Sequence, residues 1–111
     1  MEDRLPTDFW LMAQLRRLNA EGRPAFVLRR GDARGGSVVV KINLLGPGCR
    51  VLTQARDAEG RPGWLGALGG ELVPEAEADA YISRAVARDA DLWVIEVEDR
   101  DGRNPLEGKL L

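Results

Sequence analysis

The stretch Leu92-Trp93-Val94-Ile95-Glu96-Val97-Glu98 decides how the chain is read, because its residues alternate with the two-residue period of a strand. Trp93, Ile95 and Val97 point to one face and Glu96 and Glu98 to the other, with Leu92 and Val94 adding apolar surface at the start of the outer side. Ser37 to Leu45 repeats the pattern: Val38, Val40, Ile42 and Leu44 face one way, Lys41 and Asn43 the other. Two such runs predict a sheet with one buried face and one charged face.

Working outward, Ala25 to Arg30 and Cys49 to Arg56 read as further strands, separated by Gly31-Asp32-Ala33-Arg34-Gly35-Gly36 and by the turn Gly46-Pro47-Gly48. The three strands from Ala25 to Arg56 read as a meander. A helix is expected from Thr7, with its hydroxyl as cap, to about Ala20, where Gly22 and Pro24 stop it. Leu11, Leu15 and Leu18 form its core stripe, and Phe9, Ala13 and Ala20 form a second apolar line flanked by Trp10 and Met12. Ala58 to Gly70, rich in glycine, reads as a long mobile loop carrying Trp64. Pro74 opens a second helix with Glu75, Glu77 and Asp79 near its positive end and Ala78, Ile82, Ala85 and Val86 as its stripe, edged by Tyr81. The predicted class is therefore α+β: a two-layer sandwich, a mostly antiparallel four-stranded sheet with two helices on one face, in the order α-β-β-β-α-β. Residues 1–111 form one domain, with 1–6 and 99–111 as loosely ordered tails that add little to the core.

Composition limits the chemistry. Lys+Arg number 16 against 18 Asp+Glu, so no global positive field draws the chain to a polyanion, and nucleic-acid binding requires a local patch. With no histidine, imidazole-based catalysis and metal ligation are excluded within one chain. No carboxylate cluster has calcium-loop spacing, so neither metal nor cofactor is expected. The single cysteine, Cys49, fits a reducing, cytoplasmic setting and reads as a buried, inert thiol. No run approaches the ~20 apolar residues of a membrane span, and Met1-Glu2-Asp3-Arg4 lacks the order of an export signal.

Several blocks resemble a family of short alphaproteobacterial proteins grouped as a domain of unknown function, numbered 1491: Arg4-Leu5-Pro6-Thr7-Asp8 leading into Leu15-Arg16-Arg17, Leu28-Arg29-Arg30-Gly31-Asp32 before a valine-rich strand, and Arg88-Asp89-Ala90-Asp91-Leu92-Trp93-Val94-Ile95-Glu96. The resemblance spans most of the chain and implies no catalytic residues.

Three surfaces compete for function. Arg29, Arg30, Arg34 and Lys41, with Arg16 and Arg17 on the first helix, suggest an anion or RNA site beside a flexible turn; the plainer reading is a solvated hairpin pairing with Glu96 and Glu98. Phe9, Trp10, Met12 and Trp64 suggest a contact for a partner protein or a homodimer; the plainer reading has Trp64 folded over the core. Glu96 and Glu98, two apart on a strand, suggest a carboxylate enzyme; the plainer reading is a wet sheet face. The leading expectation is a non-enzymatic protein-interaction module, with an anion or RNA binder as the alternative and a carboxylate enzyme as the weaker one.

Overall fold

A computed structural model describes residues 5–111. The helix α1 spans Thr7–Ala20, and the strands β1 (Ala25–Arg29), β2 (Val38–Asn43) and β3 (Cys49–Arg56) follow. The supposed loop holds a strand, β4 (Pro62–Gly66), and a single 3-10 turn at Leu68–Gly70. Helix α2 (Glu75–Arg88), strand β5 (Trp93–Glu98) and the two-residue β6 (Lys109–Leu110) complete the chain.

The sheet is six-stranded and mixed, in the order β1-β5-β2-β3-β4-β6, where four mostly antiparallel strands were expected. The meander fails at its first step because β5 inserts between β1 and β2, antiparallel to β1 and parallel to β2. The β2-β3-β4 run is antiparallel, and β6 joins β4 in parallel. Local alternation sets which face a side chain takes and leaves strand order open.

The helices lie on opposite faces, so the expected two-layer sandwich becomes three layers. Leu11, Leu15 and Leu18 of α1 pack with Val38, Val40, Ile42, Leu52, Trp64, Trp93, Ile95 and Val97. Ala78 and Ala85 of α2 pack with Val39, Cys49, Val51 and Val94 on the other face. Ile42 and Ile95 are fully buried, as the alternation requires. The charged face is not wet, however, because the chain crosses from β4 to β5 by laying α2 over β2 and β3. The C-terminal stretch also contributes more than expected: Leu106 enters the α1-side core, and buried Asp99 binds Arg23 Nη2 at 2.9 Å and Arg103 Nε at 3.1 Å. Of the N-terminal tail, residues 1–4 lie outside the described residues.

Candidate functional site

At one end of the sheet, where β2 and β4 begin and β3 ends, a surface groove of about 900 Å³ opens on the α1 side. Its apolar wall is Leu5, Pro6, Trp10 and Pro62; its polar wall includes Arg34, Ser37, Gln54, Arg56 and Glu107. The volume is in the range of ligand sites.

The groove is built on fixed backbone. Helix α1 starts without a side-chain cap, and the Thr7 hydroxyl instead turns to the loop carbonyls, donating to Gly36 at 3.1 Å with the Arg34 carbonyl 3.3 Å away. The Thr7 and Asp8 amides donate to the Arg34 and Ala33 carbonyls, so the loop stitches to the helix and takes up two of its free donors. On the loop's other side, a Cβ on Gly31 or Gly36 would stand 2.2 Å from the Asp91 carbonyl oxygen. The Trp93 indole donates to the Asp32 carbonyl at 2.7 Å. These glycines permit close approach to the Asp91–Trp93 backbone, and the segment read as flexible is clamped at several points.

Arg34 and Arg56 both line the groove, and among the described residues neither pairs with a carboxylate. Arg56 ends β3 and donates from Nη1 to the Gly60 carbonyl at 2.6 Å. Gln54 accepts from the Val38 amide through Oε1 at 3.2 Å, and its Nε2 has no partner among the described residues. Trp10 is half-buried and packs on the core, which holds its ring as a rigid wall.

The expected basic patch is dispersed. Arg29 is spent on the Ala90 and Leu92 carbonyls (3.1 and 2.8 Å), Arg30 sits 5.1 Å over the Trp93 ring, and only Arg34 reaches the groove. Lys41 lies under α2, its Nζ 2.7 Å from Glu75, 2.8 Å from Asp79 and 3.5 Å from Glu96. Burial works against its ammonium, but hydrogen bonds to Asp79 and Glu75 and the nearby Glu96 charge outweigh that and raise its pKa. Sequence spacing assigned Glu75 and Asp79 to the helix dipole; only the placement of α2 over β2 joins them to Lys41.

The expected partner surface is also divided. Trp64 is buried and donates to the Glu107 carbonyl at 2.9 Å. Trp10 and Met12 fall on opposite flanks of the Leu11-Leu15-Leu18 stripe, and Phe9 faces outward, 66% exposed. Glu96 accepts from Asn43 Nδ2 at 3.1 Å, and neither Glu96 nor Glu98 lines the groove. Cys49 is buried beside the Lys41 cluster; burial pushes its thiol pKa up, Lys41 opposes, and Glu75, Glu96 and Asp79 add to the rise. Arg56, Gln54 and Pro62 were missed because nothing local in sequence joins the end of β3 to the start of α1. No helix among the described residues is long and apolar enough to cross a membrane. Among the same residues, no group of three or more Cys, Asp or Glu side chains is disposed to hold a metal ion.

The fold and groove define a small α+β domain with one helix on each face of a mixed sheet and a cationic-aromatic groove at the sheet end. The chain belongs to the family described as protein of unknown function, DUF1491, which matches residues 5–107. It is similar to a DUF1491 family protein from Caulobacter crescentus CB15 in a crystal structure, with 38% identity, a TM-score of 0.86, and coverage of 97% of this chain and 100% of that one. An NMR structure of a DUF1491 family protein from the same organism gives 37% identity, a TM-score of 0.84 and 99% coverage of each chain. A protein from A. tumefaciens solved in solution gives 26% identity, a TM-score of 0.73 and 87% coverage of each chain. No curated protein matches the chain.

Proposed function

We propose that the chain is a non-enzymatic protein-interaction module whose partner sits in the groove between the start of α1 and the ends of β2, β3 and β4. The observation that carries this reading is the juxtaposition of a half-buried Trp10 with Arg34 and Arg56 in one groove. Tryptophan and arginine dominate binding hot spots because each covers a large area for few rotatable bonds. A chain without histidine, whose Glu96 is bound to Lys41 and Asn43, offers little catalytic equipment beside that groove.

The partner is a different protein rather than a second copy. The open edge strand β1 exposes Phe26 and Leu28, but Asn19 occupies both the amide and the carbonyl of Ala25 (3.2 and 2.9 Å), and the register shifts between Val27 and Arg29. A capped and bulged edge resists strand-to-strand pairing. A cytoplasmic setting accompanies this reading, supported by the single cysteine.

Selection of random peptides displayed on phage tests the proposal. Selected peptides should bind the wild-type protein and lose at least about tenfold in affinity, ~1.4 kcal/mol, against Trp10→Ala, which removes the groove's aromatic wall, with the fold checked by circular dichroism. Arg84→Gln on exposed α2 should leave binding unchanged. Peptides that bind Trp10→Ala as well as wild type, or a selection that enriches nothing, would refute the assignment.

A further inference from the structure

The groove's chemistry narrows the class of partner. Resting on the reading above, we infer that the bound segment is acidic, with Asp or Glu side chains held by Arg34 and Arg56 and an apolar residue seated against Trp10, Pro6 and Pro62.

The charge argument is local. The chain as a whole is formally −2, yet two arginines line one groove without a carboxylate partner among the described residues. Lack of an ion pair does not by itself set them apart, since Arg16, Arg61, Arg84 and Arg88 also have none among the described residues; their shared place in one groove beside Trp10 does. Glu107, the acidic residue of the groove wall, accepts from Gln14 Nε2 at 3.3 Å instead.

Geometry favours carboxylates. A guanidinium presents a planar fork that matches a carboxylate with two parallel hydrogen bonds. Arg34 is mounted on backbone held by Thr7, and Arg56 on backbone paired with Pro62 across the β3-β4 ladder, so binding orders only side chains and its entropic cost is small. The Nε2 of Gln54, without a partner among the described residues, adds a neutral donor to the groove wall. Nucleic acid fits less well, because its affinity grows with the number of phosphates neutralised and the groove brings two cations together within an acidic chain.

Peptides from the display selection decide the matter by fluorescence anisotropy. Asp and Glu should be enriched in them, and replacing those residues with Asn and Gln should weaken binding about tenfold. Arg34→Gln and Arg56→Gln should each produce a similar loss, and combining either with the amide peptide should add little further, which a purely structural role would not produce. Circular dichroism of both variants should match wild type, since each side chain is exposed. If the selected peptides are neutral, or bind Arg34→Gln and Arg56→Gln unchanged while still failing on Trp10→Ala, the acidic assignment is wrong and the interaction groove stands. If they ignore Trp10→Ala, the groove itself is wrong and this inference falls with it. Oligouridylate binding lost in Arg34→Gln, with no acidic peptide recovered, would overturn the inference in favour of nucleic acid.

Discussion

Lys41→Met removes the cation from beneath α2 while keeping an unbranched side chain of similar length. In the native chain the Lys41 side chain is 4% exposed and faces Glu96, 10% exposed, together with Glu75 and Asp79, which are 54% and 55% exposed. The two exposed carboxylates can return to water, at a cost of roughly 0–1 kcal/mol each. Glu96 cannot, and stranding one member of a buried pair costs about 3–5 kcal/mol. Asn43 Nδ2 remains 3.1 Å from Glu96 and offsets a little of that. The expected loss is therefore about 3–5 kcal/mol, a large share of the ~5–15 kcal/mol that holds a domain folded. A fall in melting temperature on the order of 15 °C should accompany it. Urea denaturation followed by the emission of buried Trp64 and Trp93 reads the change directly. Adding Glu96→Gln to Lys41→Met should recover part of the loss, because the stranded charge is gone. A loss below about 1 kcal/mol, or no recovery in the double variant, would show that the cluster behaves as a solvated surface group and would refute the reasoning.

Four further outcomes follow from the structure. Burial opposes ionisation of Asp99, but the Asp101 amide, Arg103 and Arg23 outweigh it and hold the carboxyl below its ordinary value. Its contribution is thus complete above that value and lost as pH falls through the lowered one, so wild type should lose stability in acid more steeply than Asp99→Asn; parallel pH curves would contradict this. Lys41 has the opposite sign: with its pKa raised, its contribution is complete below the ordinary lysine value of about 10.4 and lost as pH rises through the raised one. Gly36→Ala places a Cβ 2.2 Å from the Asp91 oxygen and should cost about 1–3 kcal/mol or more in a thermal melt, whereas an unchanged melting temperature would show that the loop is not clamped. Cys49, buried with a raised thiol pKa, should react with a disulfide reagent only as fast as the fold opens, and faster in Lys41→Met; a rapid burst in native buffer would show the thiol to be accessible.

What was legible in the sequence is what a periodicity encodes. The Leu11-Leu15-Leu18 stripe, the Val38-Val40-Ile42 row and the Trp93-Ile95-Val97 row all face one core, as read. The same pattern could not say that β5 lies between β1 and β2, because a strand's face is a local property and its neighbours are not. The charged row of Lys41 and Glu96 looked like a wet face, since nothing in either strand announces the acidic first turns of α2 above it. Pro62-Gly63-Trp64-Leu65-Gly66 escaped as a strand because glycine and proline read as breakers. In the fold Gly63 is what lets the chain at Lys109–Leu111 approach closely, with a Cβ there standing 2.9 Å from both the Lys109 oxygen and the Leu111 side chain. For the site, sequence supplied Trp10 and Arg34 to two competing surfaces, and the groove shows them to be walls of one. Arg56 and Gln54 join them through the β2-β3 pairing, which closes only when the sheet forms.

Nitrogen-edited NMR of the labelled protein, titrated with one selected peptide, reads the location of binding residue by residue. The groove account predicts shifts concentrated at Thr7, the Trp10 indole, Arg34 to Ser37 and Gln54 to Arg56, with α2 and β1 unmoved. Shifts centred on Glu75–Arg88 or on Phe26 and Leu28, with the Trp10 indole still, would contradict it.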